Sequence, residues 1–189
     1  HTLCLSLSLS LSLCLVCLSL SLSPSLPPNT HCGAVQISNF LLEKSRVVSQ
    51  NAQERNFHIF YQLCAGATAE MQQNLGISTP QYYNYLNQSG CDSVPGVDDV
   101  ADFNETMQAM SVMSLSDAHR NEVLRVVASI LHLGNITFAE SGNYAQVADP
   151  SFLEFPAYLL GVDVNMLQSK LLTKIMESRW GGKTETTTV

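Results

Sequence analysis

Charge is what the beginning of this chain lacks. None of its 9 Lys and Arg or 16 Asp and Glu precedes Cys32, so residues 1–32 form an uncharged block of Leu, Ser, Cys and Pro joined to a chain of ordinary composition. A basic surplus is also missing: the formal net charge is −7, with a pI near 5.0. That balance excludes broad electrostatic attraction to nucleic acid or to an anionic membrane surface, because there is no positive excess to displace counterions. Catalytic signatures are absent as well. The sequence holds no GxxxxGK[ST] phosphate cradle, no GxGxxG after a strand, no HExxH and no paired CxxC beyond the lone Cys14-x-x-Cys17. No catalytic, cofactor-binding or metal-binding residue is therefore assigned.

From Leu3 to Ser23 the chain is nearly a Leu/Ser alternation, followed by Pro24, Pro27 and Pro28. Period two is a strand pattern, yet a lone Leu/Ser strand with both edges open would aggregate. A signal peptide would carry a basic stretch ahead of its apolar run, and a membrane helix would not place a hydroxyl at every second position. A CT dinucleotide repeat read in any frame gives the same alternation. The preferred reading of residues 1–32 is translated non-coding sequence, with a signal or membrane segment and a low-complexity arm as the alternatives. Four of the six cysteines fall in this block, leaving Cys64 and Cys91 as isolated thiols, which resembles a reducing compartment more than a disulfide framework.

The remainder, 33–189, reads as mainly α with short β segments. Ile37 to Val48 is extended or briefly helical. Phe57, Phe60, Tyr61 and Cys64 stand at i, i+3, i+4 and i+7 before Gly66, a helical face. Thr79-Pro80 opens a helix through Tyr82, Tyr83 and Leu86 that Gly90 closes. Cys91 to Asp102 is a loop, and Phe103, Met107 and Met110 form a further stripe. Ser116-Asp117 starts the most regular helix, carrying Val123, Val126, Val127, Ile130 and Leu131, with Gly134 at its C′ position and Asn135 to Ala139 as a strand. The last helix begins near Asp163 and carries Leu167, Leu171, Leu172 and Ile175, before Gly181-Gly182 opens a polar terminal loop.

His58 and His132 sit in apolar helices with no ligand-spaced partner and are structural; His119 is a solvated first-turn residue. Asn87, Asn104 and Asn135 begin glycosylation triplets, and turn chemistry accounts better for Asn135.

Four runs in order, LLEKSRVV (41–48), ERNFHIFYQL (54–63), ILHLGNITF (130–138) and FPAYLLGV (155–162), resemble the myosin motor head. Their order is that of its upper 50-kDa subdomain. Among myosins the resemblance is greatest to long-tailed class I unconventional myosins, through Tyr82-Tyr83, Gly142-Asn143-Tyr144 and SRWGGKTE (178–185). The resemblance implies a partial motor domain of the P-loop NTPase type, from an actin-based cytoskeletal motor of the cytoplasm that uses ATP and Mg and carries calmodulin-type light chains when intact. It also implies that the family's phosphate cradle and first switch lie before LLEKSRVV and the second switch after residue 189, so that these 189 residues alone do not hydrolyse ATP. Ser178 to Val189 resembles the surface loop that touches actin. There Glu185 takes the position that is acidic or phosphorylatable in working motors, with Thr184 or Thr186 in that place if the register slips by one. Arg179 and Lys183 are the implied cationic contacts. No membrane contact is expected of this segment. Helices that lean on a central sheet elsewhere in the head imply that Phe57, Phe60, Val127 and Ile130 are exposed and that the piece is poorly soluble alone. The competing function is a small secreted or membrane-tethered helical protein, which would need glycans on the triplets and paired cysteines.

Overall fold

The computed structural model describes residues 43–173 other than 143, and the backbone of two further strands, 175–180 and 183–188. The Leu/Ser block lies outside the described residues, as does the part of the Ile37 to Val48 piece before Glu43. Helices α1 (Ser45–Val48), α2 (His58–Gly66) and α3 (Ala69–Leu75) are followed by a 3-10 turn (Pro80–Tyr82) and α4 (Asn84–Asn87). Then come α5 (Asp99–Val112), α6 (Asp117–Gly134), the strands β1 (Phe138–Ser141) and β2 (Tyr144–Val147), α7 (Ser151–Leu160), α8 (Val164–Leu172), β3 (Ile175–Trp180) and β4 (Lys183–Thr188). The architecture is mainly helical with two antiparallel two-stranded hairpins, β1-β2 and β3-β4.

The helix starts follow from side-chain oxygens that accept the first free amide protons. Thr68 accepts from the Met71 amide, Asp98 from Val100 and Ala101, Ser116 from His119, and Asp163 from Met166. α6 packs against α7, and α2 against α5, with α6 also reaching α2 to α5. The main core is built from Ile59, Phe60, Tyr61, Leu63, Tyr83, Leu86, Phe103, Leu124, Val127 and Leu131, all at most 3% exposed. A smaller cluster of Ile136, Val147 and Leu153 sits under the β1-β2 hairpin, with Leu133, Val164, Leu167 and Leu172 against it.

Burial corrects one expectation directly. Phe60 and Val127 are 1% exposed and Ile130 5%, and Phe57 is half-buried against them. These faces close on each other because α2, α3, α5 and α6 wrap one another, so no absent sheet is needed to cover them. The large apolar side chains left exposed are others, among them Tyr82, Val112, Phe138, Tyr144 and Tyr158.

Several elements also depart from the sequence reading. The helix expected from Thr79 to Gly90 is split at Tyr83, which is extended (φ −98°, ψ 124°) and wholly buried. Its hydroxyl donates to the Gly76 carbonyl (3.1 Å) and accepts from the Ser78 amide (3.0 Å), and that tertiary anchorage outweighs the helical continuation. Helix α5 begins at Asp99, inside the stretch read as loop, because Asp98 caps it. Two helices lie where the sequence pattern carries little helical signal. α3 has little apolar signal and ends on Gly76 in the left-handed region (φ 61°); α7 holds Pro156 in its interior and ends on Gly161 (φ 65°). Gly134 belongs to α6 rather than following it, and the strand expected from Asn135 starts three residues later, at Phe138. Ile175 lies in β3, since α8 stops at Leu172.

Candidate functional site

The five positions expected to meet a partner, Arg179, Lys183, Thr184, Glu185 and Thr186, lie in the β3-β4 hairpin instead of a loop. Its register pairs Trp180 with Lys183, Arg179 with Thr184, Ser178 with Glu185 and Glu177 with Thr186. Only Gly181 and Gly182 separate the innermost pair, and Gly-Gly is the composition a two-residue hairpin connection favours. The composition that suits a polar surface loop also suits a two-stranded ribbon: Thr at 184, 186, 187 and 188 is β-branched and supports extended backbone. The ribbon follows α8, whose last turn closes with the Thr173 amide and hydroxyl both donating to the Ser169 carbonyl, the hydroxyl at 2.6 Å.

The helices before the ribbon are held by buried polar groups that sequence reasoning did not single out. Asn56, 2% exposed, donates through Nδ2 to the carbonyls of Val47 (2.9 Å) and Tyr85 (3.0 Å), and its Oδ1 accepts from the Phe57 amide (2.8 Å). One side chain thus ties α1, α2 and α4. Beside it Arg55 bonds Asp99 through Nη2 at 2.6 Å and stacks 3.9 Å above the Tyr61 ring, with both charged side chains largely buried. Arg55 Nε and Nη1 and Asp99 Oδ1 have no protein partner. Burial also holds the Tyr61 hydroxyl above its usual range. Arg55 and Asn56 were in view within the ERNFHIFYQL run, but their spacing to Asp99 and Tyr85 is tertiary.

A second junction joins α6 to the 3-10 turn and α4. Asn135 Oδ1 accepts from the Asn84 amide (2.8 Å), its Nδ2 donates to the Tyr82 carbonyl (3.1 Å), and Asn84 Nδ2 donates to the Gly134 carbonyl (3.2 Å). A Cβ on Gly134 would stand 2.6 Å from Tyr85 Cδ2, so the glycine is there for close approach. Because Asn135 is buried and its amide is engaged, this triplet is closed to a glycan. Asn87 and Asn104 are exposed.

The histidines divide differently from the sequence reading: His132 is structural, whereas His58, grouped with it there, is exposed like His119. His132 is buried, its Nε2 donating to the Leu75 carbonyl at 3.0 Å, and its ring packs edge-on against Tyr83 and Phe155. Burial pulls its pKa below the usual imidazole value. His119 is exposed, its Nδ1 3.1 Å from the Ser116 hydroxyl; His58, in the first turn of α2, is exposed too. Cys64 and Cys91 are free thiols, and burial pushes Cys64 up to about 12, far from the thiolate a nucleophile requires. Among the described residues no group of three or more His, Cys, Asp or Glu is placed to hold a metal ion, and no helix is long and apolar enough to cross a membrane.

The profile of the family described as Myosin head (motor domain) matches residues 28–189, which is most of the chain, and with the helical fold just described this chain belongs to that family. Within it, the relatives are class I. Over 149 residues, 78% of this chain, it is 50% identical to "Myosin-1" of Emericella nidulans and 46% identical to "Myosin IB heavy chain" of Dictyostelium discoideum, and it is 48% identical to "Myosin-1" of Aspergillus oryzae. It spans 12% of the length of the two fungal proteins and 13% of the Dictyostelium one, and is a fragment of a class I motor head.

Proposed function

We propose that these residues form part of the upper 50-kDa subdomain of a class I myosin that moves along actin filaments in the cytoplasm, driven by ATP with Mg. The observation that carries this reading is the identity of about half the residues over 149 positions to "Myosin-1" proteins. In that reading the division between residues 1–32 and 33–189 separates a translated non-coding stretch from motor sequence. Calmodulin-type light chains bind the intact motor outside this region.

The contribution of these 189 residues is part of the filament grip. Arg179 and Lys183 are the candidate sources of positive charge toward an acidic filament, and Glu185 is the candidate for the fixed negative charge that in other motors comes from phosphorylation at this position, with Thr184 and Thr186 as the neighbouring alternatives. ATP and Mg are handled by the cradle and switch motifs that this sequence does not contain, so the chain alone does not turn over nucleotide. Sedimentation of the full 189-residue chain with filamentous actin tests the reading. The expected result is salt-sensitive pelleting that Glu185→Lys alters, with no release of phosphate from MgATP. A chain that stays in the supernatant at low salt would remove the grip, and filament-stimulated hydrolysis by it would remove the division of labour.

A further inference from the structure

We infer that the filament-facing surface of the β3-β4 ribbon is the face carrying positions 180, 183 and 185, which makes Trp180 a contact residue and takes Arg179 out of the contact. The inference rests on the proposed actin grip and deepens it. In an antiparallel ladder, residues directly opposite one another share a face, and so do residues two apart along a strand. The register pairs 180 with 183, 178 with 185 and 176 with 187, placing Met176, Ser178, Trp180, Lys183, Glu185 and Thr187 on one face. Arg179, Thr184 and Thr186 fall on the other, together with Glu177.

The five positions named from sequence therefore cannot act as one surface. A flat polymer surface engages one side of a two-stranded ribbon at a time, and a slip of one residue moves a position from one side to the other. If Glu185 meets the filament, Lys183 and Trp180 meet it too, while Thr184 and Thr186 do not replace Glu185 by a small adjustment. Trp180 is the only tryptophan of the chain and stands beside the turn, paired across the ladder with Lys183. A large aromatic at the centre of a small polar contact is the residue type that carries binding energy in interfaces.

The experiment compares two sets of variants of the full chain in actin cosedimentation, Trp180→Ala and Lys183→Glu against Arg179→Glu and Thr184→Glu. Each of the first pair is expected to weaken pelleting by about fivefold or more, and each of the second by less than about twofold. Chemical acetylation of the unsubstituted chain, read by mass spectrometry, gives an independent measure that no folding defect confounds: filaments are expected to protect Lys183 while Lys170 reacts as before. Equal or greater losses from Arg179→Glu and Thr184→Glu, or an unprotected Lys183 on a chain that pellets, would overturn the face assignment and leave the actin grip standing. A parent chain that does not pellet at all would overturn the grip, and the face assignment with it.

Discussion

Single residues hold this fold where polar groups are buried. Removing one member of the Arg55-Asp99 pair leaves the other charge enclosed beside Tyr61, and such losses cost about 3–5 kcal/mol. Asp99→Ala is expected to lower the urea midpoint of the chain strongly, whereas Asp102→Ala, one turn further along α5, should hardly move it. Gly134 makes a different demand: a methyl there meets the Tyr85 ring, so Gly134→Ala is expected to cost about 1–3 kcal/mol despite alanine's better helix propensity. A stabilised Gly134→Ala chain in thermal unfolding would show that α4 moves aside freely. His132 gives the pH dependence. Its folded pKa lies below the unfolded value near 6.5, so on acidification the unfolded chain takes up the proton first. Its contribution is complete above about pH 6.5 and declines as the pH falls from there toward the folded pKa. His132→Gln is expected to flatten that acid limb of the stability curve, measured as urea midpoints between pH 8 and pH 5.

At the scale of elements, much was legible beforehand. The stripe on α6 and its Ser116 cap were readable because an eighteen-residue amphipathic helix repeats its pattern often enough to exceed noise. Ser116→Ala is expected to cost about 1 kcal/mol through the lost acceptor for the His119 amide, visible as a lower melting temperature. Short elements were not legible. α3 offers only Met71 and Leu75 in seven residues, and the break at Tyr83 depends on Gly76 and Ser78, with which its hydroxyl bonds. The terminal ribbon has only a weak signal in the sequence: Gly-Gly and β-branched threonines suit a hairpin, but four threonines, two glycines and scattered charge show no alternation of polarity.

For the whole molecule, the core of α2, α3, α5 and α6 closes on itself around Phe60, Val127 and Leu131. The full chain is accordingly expected to unfold in a cooperative thermal transition by circular dichroism, where a featureless melt would restore the idea that these helices need a sheet from elsewhere in the head. The apolar side chains that remain open include Phe138 and Tyr144 on β1-β2 and Tyr158 on α7.

The sequence by itself determined the family, because four ordered runs of eight to ten residues are far more specific than any composition, and it determined the cap and stripe of α6, which depend on neighbours within one or two turns. Only the tertiary structure decided that Arg55 lies over Tyr61 and against Asp99, that Gly134 must lack a side chain, and that positions 179 and 183 stand on opposite faces of a ribbon. Each of those depends on a distance between residues far apart in the chain or on a strand register, and such quantities exist only once the backbone has closed on itself.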